Sequence, residues 1–436
     1  MSSTAGGTRL HRPIRRLARL LLHSFYPDLS ITGLGRVPDG PLVVAANHPN
    51  SIIDPLLLSA WFPRPIRWLA KAPLFEHPLA AKMLSSFGVI PVRRRHEGRE
   101  SRGTNPAIET AAEAVAEGTV LGIFPEGLTH LEPRLKRLRK GVAHVARRAA
   151  ELSGEPVQVL PVVLHFPDRA RFRSEAAIVI GEPIAVDAEL ESDAFMSVLE
   201  ERLSEQLVAV DDGEHEELLT AFRVIERSEL ADRIGADDPG ERHALDLAVA
   251  RAIRRFSKEE PERLDDFRQR LVALAEQLDL QGISAASLDL RTSHRRITGR
   301  ALSLLGLPVL LLGLLQSGPP YWLAGRRARR RALVTGAPSQ AWHALLSGTL
   351  LFPLYWGLLA LGLHAWLGPV PAVLSLLVAP FLGLITRRGV LALRSWRREW
   401  RLRLRHPRHL QQMRAERASL REEIERWRGM MEDAAG

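Results

Sequence analysis

The sequence predicts an α/β domain, then an α-helical region, then a C-terminal helical hairpin that crosses a membrane. Three observations predict it. Short apolar runs rich in Val, Ile and Leu alternate with helical patterns up to about residue 190. Charged helical patterns such as Arg242 to Phe256 and Glu260 to Leu278 then replace the strand signals up to about 298. From 299 the chain turns apolar, in blocks flanked on their outer sides by Arg.

The first of the apolar runs is Leu42 to Ala46. It ends in Asn47-His48-Pro49-Asn50-Ser51, and a helix-like segment follows from Ile52 to Trp61. A His at the exit of a buried strand, with Asp54 six positions on, is within one turn of a carboxylate. Such a pair suits a general base: the carboxylate fixes the tautomer, and the imidazole takes a proton from a hydroxyl. A capped turn with a satisfied His is the other reading of the same residues.

Composition narrows the partners. The chain has 436 residues, enough for two or three structural units. Lys and Arg number 60 against 50 Asp and Glu, a net charge of +10, which points to a polyanionic partner. Aromatic residues make up only 6% and no aromatic-basic interleaving suggests base stacking. A phospholipid membrane or a phosphorylated substrate is therefore expected, and no nucleic acid. The absence of Cys excludes a thiol nucleophile, a disulfide framework and thiolate metal sites. The His residues are scattered without ligand spacing, so no metal is expected.

Residues 1–26 do not read as a signal peptide. Arg9, Arg12, Arg15, Arg16 and Arg19 alternate with Ile14, Leu17, Leu20, Leu21 and Leu22 without a long apolar core. The pattern gives a basic amphipathic helix, suited to a membrane interface or to packing on the domain that follows.

That domain spans 27–190. A Pro- and Gly-rich turn over 27–40 leads in. Strands are expected at Leu42 to Ala46, Ile66 to Ala70, Gly88 to Val92, Val120 to Phe124, Val157 to Leu164 and Ala176 to Ile180. Helices are expected over 78–86, from Asn105 to Glu117 with Gly118 as its C-cap, and from Lys136 to Leu152 with a break near Gly141. A helical extension covers 191–298.

The membrane region spans 299–386. Residues 301–320 are interrupted by Gln316-Ser317-Gly318-Pro319-Pro320 and are expected to be re-entrant. Residues 341–363 and 369–385 read as two crossings joined by a link, His364 to Gly368, that has no Lys, Arg, Asp or Glu. The basic outer ends place both termini in the cytoplasm. An Arg-rich helical tail, 387–436, carries Trp396 and Trp400 among its Arg residues and suits an anionic lipid surface.

Four segments occur in order: His48 to Asp54, Gly88 to Arg94, Phe124-Pro125-Glu126-Gly127 and Leu160-Pro161-Val162. Together they resemble the glycerol-3-phosphate and lysophosphatidate (1-acylglycerol-3-phosphate) acyltransferase family, over residues 40–190. The resemblance implies an α/β acyltransferase domain with a mixed sheet flanked by helices. Most of the family has four residues between His and Asp. Here there are five, Pro49 to Ile53, as in a subgroup that includes the yeast glycerol-3-phosphate enzymes. Glu126-Gly127 is usually followed by Thr or Ser and then Arg; here Leu128-Thr129-His130 follows.

The resemblance implies His48 as the base and Asp54 as its orienting carboxylate. It places the phosphate of the acceptor on Arg94, with Arg93 adding charge; Glu126 would bind the acceptor hydroxyls or hold Arg94, and Gly127 would let backbone come close to the ligand. It gives Pro161 a part in shaping the acyl site. Lys71 is a further candidate for the phosphate or the donor. The donor would be acyl-CoA or acyl carrier protein, with no other cofactor, and the acceptor a phosphorylated glycerol. A thioester is already activated, so no covalent intermediate is needed. Backbone amides of residues 48–51 are candidates for the oxyanion. The expected place is the cell (inner) membrane, with the catalytic domain facing the cytoplasm. Two alternatives stand beside this: an acceptor that is another lysolipid or an amino-acid lipid, and a non-catalytic protein that binds anionic lipid.

Overall fold

The computed structural model describes residues 8–76, 78, 81, 89–92, 106–130, 132, 134–210, 213–288 and 306–433. The chain divides into two compact units. One holds 1–209, 238–244 and 328–345; the other holds 210–237, 245–327 and 346–436.

The first unit is built on a mixed sheet. Its strands are β1 (Asp28–Thr32), β2 (Leu42–Ala46), β3 (Ile66–Lys71), β4 (Ile90–Val92), β5 (Val120–Ile123), β6 (Val157–His165), β7 (Glu175–Ile180) and β8 (Ile184–Val186). The order is β1-β7-β6-β2-β5-β3-β4, with β8 also on β6. From β4 to β6 all pairings are parallel. β7 and β8 run antiparallel to β6, and β1 runs parallel to β7.

Helices cover both faces, which explains why β2 reads as unbroken apolar sequence rather than as an alternation. Val43 and Ala45 face a core shared with α3 (Pro106–Ala116), α4 (Gly141–Ser153) and α5 (Ser192–Gln206). Leu42, Val44 and Ala46 face the opposite core, shared with α1 (Thr8–Phe25) and α2 (Ile53–Trp61). Ala111, Ala112, Ala143 and Ala146 keep α3 and α4 slim where they pack in the first core.

α1 is held on the domain. Leu22 and Phe25 are buried, and Arg15 and Arg19 both donate to the carbonyl of Ala60 at 2.9 and 2.6 Å. Two guanidinium groups thus satisfy the C-terminal end of α2, where orphan carbonyls and the negative end of the helix dipole coincide. Leu17 and Leu20 remain exposed.

Several expectations are corrected here. The 27–40 segment contains a strand, β1, because Leu29 and Ile31 alternate and find β7 as a parallel partner. β8 follows the Gly181-Glu182-Pro183 turn. The helix expected from Lys136 begins only at Gly141. Its first five residues are not helical because their amides are used elsewhere: Lys136 N donates to the Glu126 carboxylate and Arg139 N to the carbonyl of Pro125. The helix expected over 78–86 lies outside the described residues, apart from 78 and 81.

The second unit is helical. α6 (Gly213–Ile225), α7 (Arg227–Ile234), α9 (Pro261–Gln281) and α13 (Pro407–Asp433) belong to it. α8 (Pro239–Glu259) begins in the first unit and continues in this one. Buried Arg417 bonds Glu226 at 2.7 Å and Glu229 at 3.1 Å, so its charge is compensated inside the bundle.

α10 (Leu307–Thr335) passes straight through Pro319 and Pro320, so the break expected at Gln316 to Pro320 is not formed. Each proline removes an amide that would have bonded the carbonyl four residues back. Those carbonyls have other donors: Tyr355 Oη bonds Leu315 O at 2.9 Å, and Trp356 Nε1 bonds Gln316 O at 3.1 Å.

Tyr355 and Trp356 lie on α11 (Gln340–Leu367), which turns at Gly368 into α12 (Pro369–Arg405). Gly368 has φ +90°, a conformation that L side chains rarely adopt, so glycine is required at this turn. Among the described residues these two helices are long and apolar enough to cross a membrane. Leu350, Leu354, Leu358 and Leu361 on α11, and Val370, Val373 and Leu377 on α12, are exposed. The Arg-rich tail is not a separate element at its start: α12 carries its apolar run unbroken into Arg387 to Arg405.

Candidate active site

β2 and β5 are parallel neighbours, so their C-terminal ends open on the same edge of the sheet, where α/β folds place ligands. The loop after β2 carries His48 and the loop after β5 carries Glu126. Asn47 extends the ladder with its side chain. Its Nδ2 donates to Leu164 O at 3.1 Å and its Oδ1 accepts from Leu164 N at 2.7 Å, so His48 leaves the sheet from a fixed point.

The five residues between His48 and Asp54 are absorbed in the turn. Ser51 sits at φ +52°, Ile53 N bonds Asn50 O, and α2 starts at once. Asp54 therefore lies in the first turn of α2, where the positive end of the helix favours a carboxylate. His48 Nδ1 meets Asp54 Oδ2 at 2.9 Å. The same oxygen accepts from Asn50 N at 2.7 Å. Burial pushes the Asp54 carboxyl above its ordinary range, against the opposing effects of the His48 hydrogen bond and charge and the Asn50 amide. The imidazole is 18% exposed and Asp54 is fully enclosed.

Asn50 is itself anchored. Its Nδ2 donates to Tyr26 Oη at 2.8 Å, and that hydroxyl donates to Arg169 O at 2.6 Å. Burial pushes the Tyr26 phenol far above its usual range, so the hydroxyl keeps its proton. Arg169 in turn donates to Pro49 O at 3.2 Å.

Glu126 is buried and both its oxygens are occupied. Oε1 accepts from His48 N at 3.1 Å; Oε2 accepts from Lys136 N at 3.1 Å and pairs with His130 Nε2. Glu126 thus ties the loop after β2 to the segment after β5, and its carboxylate is committed to protein donors rather than to acceptor hydroxyls. Gly127 has φ +71°, and a Cβ there would lie 2.7 Å from Arg139 Nε, so the close approach it permits is to Arg139. The amides proposed for the oxyanion are largely spent, because His48 N and Asn50 N already donate to carboxylates.

The remaining expected residues divide. Pro161 is buried in β6 opposite Ala45, on an interior strand rather than an edge. It stands where β6 changes partner from β8 to β7, so its missing amide leaves little of the ladder unpaired. Lys71 ends β3, opposite Val92 of β4, at the same edge of the sheet. Arg93 and Arg94 lie outside the described residues.

Three neighbours of the dyad carry weak sequence signals. His130 is four residues after Glu126. Phe124 stacks on the His48 ring with centroids 3.9 Å apart, and Trp68 stacks on Phe124 at 4.8 Å. A cleft of 820 Å³ opens beside Glu126, between the 136–140 segment and α5, lined by Lys136, Arg137, Arg139, Lys140 and Asp193 among others. Lys140 pairs with Asp193 at 2.6 Å and Lys136 with Glu132 at 2.5 Å, while Arg137 and Arg139 are exposed. No group of His, Asp and Glu among the described residues has the arrangement of a metal site.

Residues 28–165 match the Acyltransferase family model. The chain is 27% identical over 159 residues to a chloroplastic 1-acyl-sn-glycerol-3-phosphate acyltransferase of Arabidopsis thaliana, covering 36% of this chain and 41% of that protein. It is 44% identical over 70 residues to glycerol-3-phosphate O-acyltransferase 2 of Saccharomyces cerevisiae, covering 15% of this chain and 9% of that one. A 1-acyl-sn-glycerol-3-phosphate acyltransferase of Bacillus subtilis is 25% identical over 175 residues, covering 39% of this chain and 80% of that protein. The chain spans less than half of the plant and yeast relatives. The crystal structure of the 1-acyl-sn-glycerophosphate acyltransferase PlsC from Thermotoga maritima aligns at 18% identity and a TM-score of 0.37, covering 46% of this chain and 80% of that one.

Proposed function

We propose that this chain is a membrane-bound O-acyltransferase of phospholipid biosynthesis. It moves an acyl chain from acyl-CoA or acyl carrier protein to the hydroxyl of glycerol-3-phosphate or 1-acylglycerol-3-phosphate. The observation that carries the reading is the 2.9 Å contact between His48 Nδ1 and the enclosed Asp54 carboxylate, at the open end of two parallel strands. With Nδ1–H directed at Asp54, the lone pair is on Nε2. That nitrogen takes the proton of the acceptor hydroxyl as its oxygen attacks the thioester carbonyl. The new ester bond forms, the C–S bond breaks, and the thiolate recovers the proton from the imidazolium. Asp54 holds the tautomer and stabilises the charged ring.

The phosphorylated acceptor has two sets of cations to meet. Arg94, with Arg93, is one. Arg137 and Arg139, exposed at the cleft beside Glu126, are the other, and the planar guanidinium suits paired bonds to phosphate oxygens. α11 and α12 support attachment to a bilayer, and the Arg-rich end of α12 suits anionic headgroups on the cytoplasmic side, the side assigned to the catalytic domain.

An acceptor panel with labelled acyl-CoA on purified membranes tests the reading. Transfer to glycerol-3-phosphate or 1-acylglycerol-3-phosphate, lost by about 10³-fold or more in His48→Ala while the chain stays in the membrane, is the expected outcome. Transfer no greater in membranes that carry the chain than in membranes that lack it points to the non-catalytic lipid-binding alternative. Transfer that is confined to a phosphate-free acceptor and indifferent to Arg94→Ala points to an amino-acid lipid or another lysolipid.

A further inference from the structure

The face of the His48 ring is covered in an ordered way. Phe124 lies beneath it, with ring centroids 3.9 Å apart and planes 11° from parallel. Trp68 lies beneath Phe124, 4.8 Å away and 12° from parallel. The indole is fixed at both ends. Its Nε1 donates to Ser59 Oγ of α2 at 2.8 Å, and its ring rests on Gly122 of β5, where a Cβ would come within 2.5 Å of it. A glycine inside a strand is unfavourable unless something needs its empty face. Here the indole fills that face. Gly122, Trp68, Phe124 and His48 form one continuous stack from the sheet to the base.

We propose that Phe124 and Trp68 are positioning residues that form a two-ring platform for His48. The inference rests on His48 acting as the general base. The platform fixes the plane of the imidazole, so Nε2 keeps one direction while Asp54 holds Nδ1. It also changes the energetics of the proton transfer. The imidazole gains a positive charge when it takes the acceptor proton, and the electron-rich face of Phe124 lies well inside the range at which a cation is attracted to a ring. The platform therefore favours the charged ring more than the neutral one, which is the condition for accelerating the chemical step rather than merely binding substrate. Among the described residues, the other titratable or charged groups around His48 are Asp54 from α2, Glu126 and through it His130 after β5, Tyr26 at the end of α1, and Arg169 beyond β6. None of them changes in the variants below.

The test uses the full chain in phospholipid nanodiscs, with ¹⁵N-labelled histidine for NMR and acyl transfer measured in parallel. In Phe124→Leu, kcat is expected to fall by about 10- to 100-fold with KM within about twofold, as befits a group acting on the charged ring rather than on binding. The acid limb of the rate profile and the His48 titration should both move down by about half a pH unit, because the cation loses its π-face. The His48 ring protons should lose the upfield shift that a stacked ring imposes. Phe124→Tyr keeps the face and is expected to restore all three readouts. Trp68→Phe loses the bond to Ser59 and Gly122→Ala crowds the indole, so both should show a smaller version of the Phe124→Leu effect. The Tyr and Phe variants keep the test decisive should the Leu variant fail to fold. Unchanged kcat and an unchanged His48 titration in Phe124→Leu overturn the platform, and transfer lost in His48→Ala would still leave the acyltransferase reading standing. A His48 signal that answers to Phe124→Leu in a chain that transfers no acyl group overturns that reading and not the platform.

Discussion

Enclosing the Asp54 carboxyl carries a cost in stability. Its carboxyl is fully enclosed, and burial raises its pKa above the ordinary carboxylate value. A group of this kind contributes stability that is fully present below the unfolded pKa and is lost as pH rises through the higher folded one. At neutral pH an ionised Asp54 therefore works against folding. Asp54→Asn is expected to lower kcat by about 10³- to 10⁴-fold while Tm, followed by circular dichroism, stays level or rises. A clear fall in Tm would mean that the hydrogen bonds of the carboxylate outweigh its burial. Asn47 carries the opposite balance, since its amide completes the β6 ladder at Leu164 with two buried bonds. Asn47→Ala should destabilise the sheet unit by about 2–4 kcal/mol, read from denaturant unfolding. His48 and Asp54 were legible in the sequence as a candidate pair from their spacing, and as base and orienting carboxylate only through the resemblance that the four segments carry together. The commitment of Glu126 to His48 N, Lys136 N and His130 was not legible, because its partners lie up to 78 residues away.

At the scale of elements, local pattern and tertiary demand disagree in two instructive places. Lys136 to Lys140 has helical composition, yet its amides serve the turn at Pro125 and Glu126, so the helix waits until Gly141. Propensity is a weak preference, and two buried acceptors outweigh it. In α10 the outcome is reversed. Two consecutive prolines read as a break, but Tyr355 and Trp356 of α11 supply the donors that the prolines lack, and the helix runs on. Helices in a membrane tolerate proline where neighbours satisfy the freed carbonyls. Tyr355→Phe with Trp356→Phe should therefore weaken α10 at its centre. Faster amide hydrogen exchange near residues 315–320 in the double variant, against little change elsewhere on α10, is the expected result. Uniform exchange along the helix would show that the two side chains do not carry it.

For the whole molecule, α11 and α12 stand out: among the described residues their Leu and Val rows are exposed, and both helices are long and apolar enough to cross a membrane. The proposed in–out–in arrangement is open to a direct test. The native sequence lacks Cys, so single cysteines report cleanly on topology. Trp366→Cys, at a position 89% exposed beside the Gly368 turn, and Glu189→Cys in the sheet unit should react with a membrane-impermeant thiol reagent from opposite sides of the membrane. Labelling of both from one side would remove the in–out–in arrangement.

The sequence by itself determined the α/β alternation, the candidate His48–Asp54 pair, the two long apolar helices and their basic flanks. Each of these is written in a short period or a short spacing along the chain. Only the tertiary structure decided that Glu126 is a latch, that α10 survives its prolines, and that His48 rests on Phe124 and Trp68. In each case the deciding partner comes from a distant segment, brought in by sheet order or helix packing, and no local pattern encodes which donor or ring will arrive there.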